Sequence, residues 1–394
     1  MIFQTLDDKG QCVGIYDGSL IYNYMPENLT RTWDYSAFLK DREIEYAKLF
    51  CGGQSLDEVC PEHLFEEWEV KSGKLKAFLT SFRESKVSLR ENCFFDLVPE
   101  RFLVDFCEIK NKITEYVFEN HEKPKNYEFL KQMTRILAEI RQNELNVDLE
   151  SLKNRNYEFK VRQFIKKVQK SNNFIDFNLF GTITGRLSTK KGSFPILTMD
   201  KEFRSILNPK NDCFVEFDFN AAELRTLLAL SGKEQPEEDL HLWNIEHIFK
   251  KDLSRENAKK RIFEWLYNPQ REHLAEKTYR REQVKNKYWD GSKVTNYFDR
   301  EMEADEHHAL NYIIQSTTSD LLLRQMNKIF IALEGKKSFI AFPMHDSLII
   351  DLSLEDREMI IPLIEKFQDT ELGAYKTNVR IGRNFGEMKK YDLQ

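Results

Sequence analysis

Two short hydrophobic runs constrain this chain most, because each is typical of a buried strand and each carries one aspartate near its end. FVEFDFNAAELR spans residues 214–225 and holds Asp218, and FIAFPMHDSLIIDL spans residues 339–352 and holds Asp346. A carboxylate in such a place is costly to bury unless it holds a cation or a partner. If the two strands lie side by side, the aspartates could bridge two divalent ions about 3.5–4 Å apart, as in phosphoryl transfer.

Each run also has a structural explanation. Side chains alternate along a strand, so Phe217 and Phe219 would anchor the first strand while Asp218 projects from the opposite face. Asp218 could then simply cap the helix that follows. Asp346 lies in the tight connection PMHDS at residues 343–347, where a turn aspartate is common, although loops at strand ends often carry function.

A third feature is a helix with four residues spaced four apart. Arg255, Lys259, Phe263 and Tyr267 occupy the sequence SRENAKKRIFEWLYNP, and this spacing gives a winding stripe about 18 Å long. Two cations near the helix N-terminus suit a triphosphate, and two aromatic rings suit a base and a sugar. The alternative is an ordinary amphipathic helix with buried rings and solvated cations.

Composition limits the class of protein. The 394 residues are 41% apolar with a formal charge of −6, so the chain is long enough for two or three domains, and any nucleic-acid groove must be local. Scattered cysteines predict a reducing compartment, although Cys51, Cys60 and His63 could be three zinc ligands. The N-terminus has no signal-peptide pattern and no long apolar run exists, so we expect a soluble cytoplasmic protein without membrane contact, in host cytoplasm if viral.

A helix is predicted between residues 151 and 170, and it is rich in lysine and arginine. This basic run is either a solvated face or a surface that follows a phosphate backbone. Further helices are predicted near 64–82, 221–231, 305–333 and 354–367, with hairpins near 11–24 and after 289, and a strand near 377–381.

The region from about residue 182 to the C-terminus resembles the palm and fingers of family-A DNA polymerases, the family of the Klenow fragment and of phage and mitochondrial replicases. The first block of that family, TxTGRLS, matches Thr182, Thr184, Gly185, Arg186, Leu187 and Ser188; its motif A matches Asp218, Phe219, Asn220, Glu223, Leu224 and Arg225; and its motif B matches Arg255, Lys259, Phe263 and Tyr267, with Asn268 in place of glycine. Further matches are Arg204, the pair Asp239 and His241, the block Asn311, Gln315, Thr317 and Asp320, motif C at His345 and Asp346, and the terminal block Gly382, Asn384, Phe385, Gly386 and Glu387.

The resemblance implies a role for each matched residue. Asp218 and Asp346, with the backbone carbonyl of Phe219, would hold two Mg²⁺ ions, for which Mn²⁺ is an alternative. The incoming triphosphate would be held by Arg255, Lys259 and His241, with Lys259 as the candidate general acid, and Phe263 and Tyr267 would pack on the nucleotide. Glu223 would exclude a ribose 2′-hydroxyl. Primer-template DNA would contact Thr184, Arg186, Arg204, Asn311, Gln315 and His345 with little sequence preference.

The fold that the resemblance implies is α+β with right-hand polymerase architecture. We expect an N-terminal α+β domain at residues 1–98, which is an exonuclease remnant or a partner-docking domain, and a helical connection with a reduced thumb at 99–180. The antiparallel-sheet palm would occupy 181–250 and 305–394, with abbreviated helical fingers at 251–304. The predicted function is a template-directed DNA polymerase that uses deoxynucleoside triphosphates.

Several departures from the family qualify that expectation. Ser347 stands where a third carboxylate is usual, which predicts weaker metal affinity or a changed metal preference. A short thumb predicts low processivity unless a replisome partner clamps the DNA, and the compact chain is typical of phage members. The N-terminal segment offers Asp7 and Asp8 but no DxE pair on its first strand, so we expect no proofreading. Two alternatives stay open, a polymerase-like DNA-binding scaffold with weak or no catalysis and a single-subunit RNA polymerase.

Overall fold

The computed structural model describes residues 2–4, 13–16, 18–22, 27–36, 39, 42–87, 92–250, 252–267 and 273–391. Asp7, Asp8 and Asn268 lie outside the described residues. Contacts divide the chain into two units, residues 1–139 and 140–394. None of the helices in the described part is long and apolar enough to cross a membrane.

The first unit combines a mixed five-stranded sheet with helices. Its strands have the order β3-β2-β1-β4-β5, in which β1 is antiparallel to β2 and parallel to β4, and β4 is parallel to β5. The strands are β1 (Ile2–Gln4), β2 (Val13–Tyr16), β3 (Ser19–Tyr22), β4 (Arg31–Thr32) and β5 (Glu45–Tyr46). The helices are α1 (Ala47–Phe50), α2 (Leu56–Val59), α3 (Glu62–Glu84), α4 (Phe94–Leu97), α5 (Glu100–Asn120) and α6 (Tyr127–Gln142), the last of which spans the division.

The division between the units lies later than the domain boundary predicted at residue 98. The reason is α5, whose buried face carries Leu103, Phe106 and Ile113 into one core with Trp68 of α3. The rings of Trp68 and Phe106 lie 5.5 Å apart. Apolar periodicity predicts that a helix has such a face but does not say which partner covers it.

The second unit is built on an antiparallel five-stranded sheet of order β13-β14-β10-β17-β18. Its elements are β6 (Asn146–Val147), α7 (Phe159–Lys170), β7 (Phe177–Asn178), β8 (Ser188–Thr189), β9 (Leu207–Asn208), β10 (Cys213–Phe219), α8 (Ala222–Leu230), α9 (Leu240–Asn244), α10 (Arg255–Tyr267), α11 (His273–Tyr279), α12 (Arg281–Tyr288), β11 (Lys293–Thr295), β12 (Glu301–Glu303), α13 (Glu306–Ala332), β13 (Phe339–Met344), β14 (Ser347–Leu352), α14 (Ile360–Gln368), β15 (Asp369–Thr370), β16 (Gly373–Ala374), β17 (Thr377–Gly382) and β18 (Lys389–Lys390). Short 3₁₀ turns cover Glu150–Arg155, Ile196–Thr198, Lys201–Ile206 and Leu354–Met359, and a π-helical turn covers Ile245–Phe249.

The prediction of one helix over residues 151–170 was wrong. A 3₁₀ turn ends at Arg155, and α7 begins only at Phe159. Arg162 donates to the backbone carbonyls of Asn156 and Tyr157 at 2.8 and 2.7 Å. These carbonyls therefore accept from a side chain, a local bond that competes with helical hydrogen bonding.

The two faces of β10 differ as their alternation predicts. Phe217 and Phe219 are buried against Phe367 of α14, and the rings of Phe219 and Phe367 stack 4.4 Å apart. Glu216 and Asp218 project from the other face of the strand. The packing of the aromatic face holds the strand in place, so the position of Glu216 and Asp218 does not depend on contacts of their own side chains.

A second core joins the helices that carry the stripe of four residues to the long helix. Ile262 and Leu266 of α10, Tyr279 of α11 and Val284 of α12 pack in one cluster with Ile313 of α13. Helices α10, α11, α12 and α13 therefore share one core. The predicted helix at 305–333 is confirmed as α13, capped by the side chain of Asp305 at 2.8 Å from the His308 N–H group.

Candidate active site

The two aspartates singled out in the sequence meet at one end of neighbouring strands. β10 pairs with β14 so that Asp218 lies opposite Ser347, and Asp346 occupies the turn just before β14. The backbone N–H of Phe219 donates to the carbonyl oxygen of Asp346 at 3.4 Å. The expectation that the two strands lie side by side is therefore confirmed.

Among the residues that the structure describes, neither carboxylate forms an ion pair with a cationic side chain. Burial raises the pKa of Asp218 to about 6, an effect that a hydrogen bond from Asn378 at 3.1 Å opposes and the charge of Glu216 increases. Burial and then the negative charge of Glu223 also raise the pKa of Asp346. Within the described ranges, the carboxylate of Asp346 has no hydrogen bond or ion pair. A largely buried carboxylate in that state either takes up a proton or binds a cation.

The donor set fits a hard divalent cation, because it consists of carboxylate oxygens beside a backbone carbonyl. No cluster of three or more His, Cys, Asp or Glu side chains that could hold a metal exists among the residues that the structure describes, and this statement includes Cys51, Cys60 and His63. Two carboxylates therefore make up the acidic part of the site.

The position of the expected third carboxylate is occupied by a buried hydroxyl. Ser347 donates to the carbonyl of Met344 at 2.9 Å and so closes the turn that carries Asp346. Asp351 does not substitute for it, because its carboxylate accepts from the backbone N–H groups of Lys210 and Asn211 at 2.7 and 2.9 Å.

The stripe on α10 presents its four residues differently. Lys259 is exposed and makes no ion pair within the described part of the chain, and its charge acts on Asp346 by opposing the rise in pKa. The rings of Phe263 and Tyr267 are stacked at 6.3 Å, with 19° between their planes. The stripe thus presents the positive charge of Lys259, which acts on Asp346, and the two stacked rings of Phe263 and Tyr267.

Arg255 is instead bound to an acid at the start of α9. Its Nη2 and Nε atoms donate to Asp239 Oδ2 at 2.8 and 3.1 Å, and Asn220 donates to the same oxygen at 2.7 Å. Burial alone would raise the pKa of Asp239, but the bonds from Arg255, Asn220 and the Leu242 N–H group outweigh it and lower this pKa to about 2.

His241 lies two residues further on and is buried. Burial, followed by the charge of Arg255, lowers the pKa of His241 to about 4, so the ring is neutral at pH 7. Its Nδ1 atom has no hydrogen-bond partner among the described residues. A neutral ring can contribute one N–H donor to an anion but no positive charge.

Glu223 is the centre of a polar cluster. It forms an ion pair with Arg186 and accepts a hydrogen bond from the Tyr267 hydroxyl at 2.8 Å. Burial and the charge of Glu223 raise the pKa of that hydroxyl, which also bonds with Gln315. Four residues from four distant segments, each predicted from its motif alone, are thereby brought together.

Two of the residues predicted to contact DNA, Arg186 and His345, lie beside Asp346. A cavity of about 340 Å³ is lined by Thr182, Arg186, Leu187, Leu197, Ser319, Leu322, Leu323, Pro343, His345 and Asp346. Partial burial and the charges of Arg204 and Arg186 lower the pKa of His345. Arg204 packs over the ring of Phe385 at 4.9 Å, whereas Thr184 is buried and the side-chain oxygen of Asn311 has no partner within the described residues.

Gly185 shows why the TGR sequence needs glycine. Its φ is +73°, and a Cβ atom there would lie 2.5 Å from the Arg300 guanidinium. Arg300 is held by Asp320 at 2.6 Å, and Ser319 donates to the Gly185 carbonyl at 2.9 Å. A larger residue at 185 would displace the loop that carries Arg186.

Sequence reasoning missed the partners that hold the site. Arg225 was matched only as part of a motif, yet its fully buried guanidinium donates to the carbonyls of Asn220, Pro236 and Glu238 at 2.8, 2.8 and 2.9 Å. Asn378 had no signal of its own. Such pairings depend on strand register across many residues, which local patterns do not contain.

Comparisons with known proteins rest on structure alone. No family model matches the sequence, and no curated protein matches it. The structure is similar to the solved POL domain of Pol1 from M. smegmatis in complex with DNA primer-template and dNTP, with a TM-score of 0.60, 12% sequence identity, and coverage of 88% of this chain and 82% of that chain. This chain therefore shares the fold of the polymerase domain of a family-A DNA polymerase.

Proposed function

We propose that this chain is a template-directed DNA polymerase that adds deoxynucleotides to a primer 3′ end by two-metal phosphoryl transfer. The observation that carries the proposal is that Asp218 and Asp346 meet at one strand end without an ion pair to any described cationic side chain, while the charge of Lys259 on α10 acts on Asp346. The similar structure of the Pol1 POL domain was solved with primer-template and dNTP, which supports the same partners here.

Asp218 and Asp346, with the carbonyl of Phe219, would hold two Mg²⁺ ions, or Mn²⁺ in their place. When bound, such ions lower the pKa of an attacking hydroxyl and neutralise charge on the transferring and leaving phosphates. The pairing of β10 with β14 brings the backbone of Asp218 and the turn that carries Asp346 to one strand end. Such a framework would preorganise the acidic pair before substrate arrives.

The incoming nucleotide would lie along α10. Lys259 is exposed and free of an ion pair in the described structure, so it can bind a phosphate and later donate a proton to the leaving pyrophosphate. Arg255 would bind phosphate while it keeps Asp239, and neutral His241 would supply one N–H donor. The rings of Phe263 and Tyr267 would pack against the nucleotide.

Glu223 would select the sugar. Its carboxylate is held from two sides by Arg186 and Tyr267, so it cannot easily move away from a ribose 2′-hydroxyl. A fixed side chain excludes an added group better than a mobile one does. This favours deoxynucleotides and argues against an RNA polymerase.

The primer-template would contact Thr184, Arg186, Arg204, Asn311, Gln315 and His345. We assign the palm to residues 181–250 and 305–394, the abbreviated fingers to 251–304 and the reduced thumb to part of 99–180. Contacts to backbone and minor-groove atoms would give little sequence preference. A short thumb would leave processivity to a replisome partner.

We also propose that the chain does not proofread. In the first unit, Asp34 follows β4, and its carboxylate is bound by Lys48 at 2.7 Å. An acid neutralised by a lysine is a poor metal ligand. The first unit would then serve as an exonuclease remnant or as a docking domain.

Primer extension on a long template tests these proposals together. We expect extension with Mg²⁺ or Mn²⁺, deoxynucleotides preferred over ribonucleotides, short products at single-hit conditions, and no shortening of a mismatched primer when nucleotides are omitted. Absence of extension with either ion, with DNA binding intact, would favour the non-catalytic scaffold. A preference for ribonucleotides would favour an RNA polymerase.

A further inference from the structure

The central strand of the second sheet carries two acids, and each is met by one side chain of the neighbouring strand. β10 pairs with β17 so that Asp218 faces Asn378 and Glu216 faces Arg380. Asn378 Nδ2 donates to Asp218 Oδ2 at 3.1 Å, and Arg380 donates to Glu216 at 3.0 Å. The two cross-strand pairs have the same geometry in the sheet, but the partner of Glu216 is charged and the partner of Asp218 is neutral.

That difference suits the two acids to different roles. Arg380 brings a full positive charge to Glu216, which is thereby neutralised within the protein. Asn378 brings an uncharged donor to Asp218, so the carboxylate is held at one oxygen and keeps its negative charge. An amide can orient a metal ligand without competing with the metal for its charge. A lysine or arginine at that place would compete with the metal.

The other neighbour of Asp218 offers no such support. Ser347 lies opposite Asp218 in β14, but its hydroxyl is engaged with the Met344 carbonyl at 2.9 Å. Asn378 is therefore the side chain that donates a hydrogen bond to the Asp218 carboxylate in the described part of the chain.

We propose that Asn378 is a positioning residue that orients Asp218 for divalent metal binding, an inference that rests on the proposed function. With two carboxylates in the site, the orientation of each has more weight than in a site with three. Partners that hold a metal ligand commonly contribute 10- to 100-fold in metal affinity.

The test measures Mn²⁺ binding to the full chain without DNA or nucleotide, by the electron paramagnetic resonance signal of free Mn²⁺. Asn378→Ala removes the amide, and Asn378→Leu removes it while keeping the side-chain shape, so that a folding defect in one variant leaves the other. Asn211→Ala, which removes a surface amide before the other end of β10, is the matched control. Circular dichroism melting checks the fold of each variant.

We expect both Asn378 variants to bind Mn²⁺ about tenfold more weakly, with the Mg²⁺ concentration for half-maximal extension raised to match and the rate recovered at high Mg²⁺. Asn211→Ala should bind as the unchanged protein does. Unchanged Mn²⁺ affinity in a folded Asn378 variant would overturn the inference, provided that Asp218→Ala abolishes binding. If Asp218→Ala also leaves binding unchanged, the metal site of the proposed function itself is wrong.

Discussion

Two acidic regions of the second unit, the start of α9 and the edge of the sheet, differ in how the protein compensates their charge. At the start of α9, Asp239 receives Arg255, Asn220 and backbone N–H groups, and its pKa falls to about 2. At the sheet edge, Asp218 has one amide donor and Asp346 has no hydrogen bond within the described residues, and burial raises the pKa of both. The charge of Asp239 is neutralised by Arg255, whereas Asp218 and Asp346 have no ion pair within the described residues.

The contrast separates an acid that a cationic side chain neutralises from two that have no ion pair in the described residues, a difference that burial alone does not reveal. All three aspartates are partly or largely withdrawn from water, so exposure alone would group them. The supply of a cation distinguishes them, because an acid already neutralised gains little from a metal, whereas an uncompensated pair gains a great deal. The comparison also predicts which substitutions should affect catalysis and which should affect stability.

The largest effect should come from the sheet edge. Asp218→Ala or Asp346→Ala should reduce primer extension by more than about 100-fold, beyond what loss of a supporting residue costs, because each substitution removes a proposed metal ligand. DNA affinity should change little in a gel-shift titration. Asp351→Asn is the control, since that acid lies in the same sheet but is bound to backbone N–H groups. Near-normal extension by either alanine variant would show that the two acids at the sheet edge are not needed for catalysis.

The next effect should come from α10. Lys259→Ala should lower kcat about 100-fold if the residue is the general acid, and it should also raise the KM for nucleotide. Lys260→Ala, at the adjacent exposed position, should behave as the unchanged enzyme in single-nucleotide incorporation kinetics. An equal loss in both variants would mean that α10 contributes only general positive charge.

A stability effect should distinguish the α9 region. The pKa of His241 is about 4 in the folded protein, below its ordinary 6.5, so the unfolded chain binds more protons between these values and the folded state loses stability as pH falls through that window. His241→Leu removes this titration. We expect the unchanged protein to lose about 3 kcal/mol more than the variant between pH 6.5 and pH 4.

Urea unfolding of both proteins across this pH range, followed by circular dichroism, measures the difference. Parallel pH profiles would show that His241 titrates normally and that the α9 region is open to water.

The smallest effect belongs to the first unit. Lys48→Met breaks the contact with Asp34. The side chain of Lys48 is 29% exposed and that of Asp34 is 40% exposed. Such pairs contribute about 0–1 kcal/mol, so thermal unfolding should shift slightly and primer extension should be unchanged. Mn²⁺-dependent shortening of a primer by this variant would instead show that Lys48 suppresses a nuclease centre.

The sequence predicted those parts of the molecule that local patterns encode. Alternation placed Phe217 and Phe219 in the core, and four-residue spacing placed Lys259 on the stripe. It did not predict the helix break after Arg155, where side-chain bonds to backbone carbonyls replace helical ones. Nor did it predict Asn378, whose partner is 160 residues away in sequence, because strand register is a tertiary property.

The buried guanidinium of Arg225 has a consequence for how this protein tolerates change. It ties the residue after β10 to the loop at 235–239 through three carbonyls, with Gln235 as a further acceptor. Lysine, with a single nitrogen, cannot span acceptors spread this widely. Arg225 therefore couples the end of the strand that carries Asp218 to the segment that positions Asp239, the partner of Arg255, so a substitution at residue 225 would disturb both together.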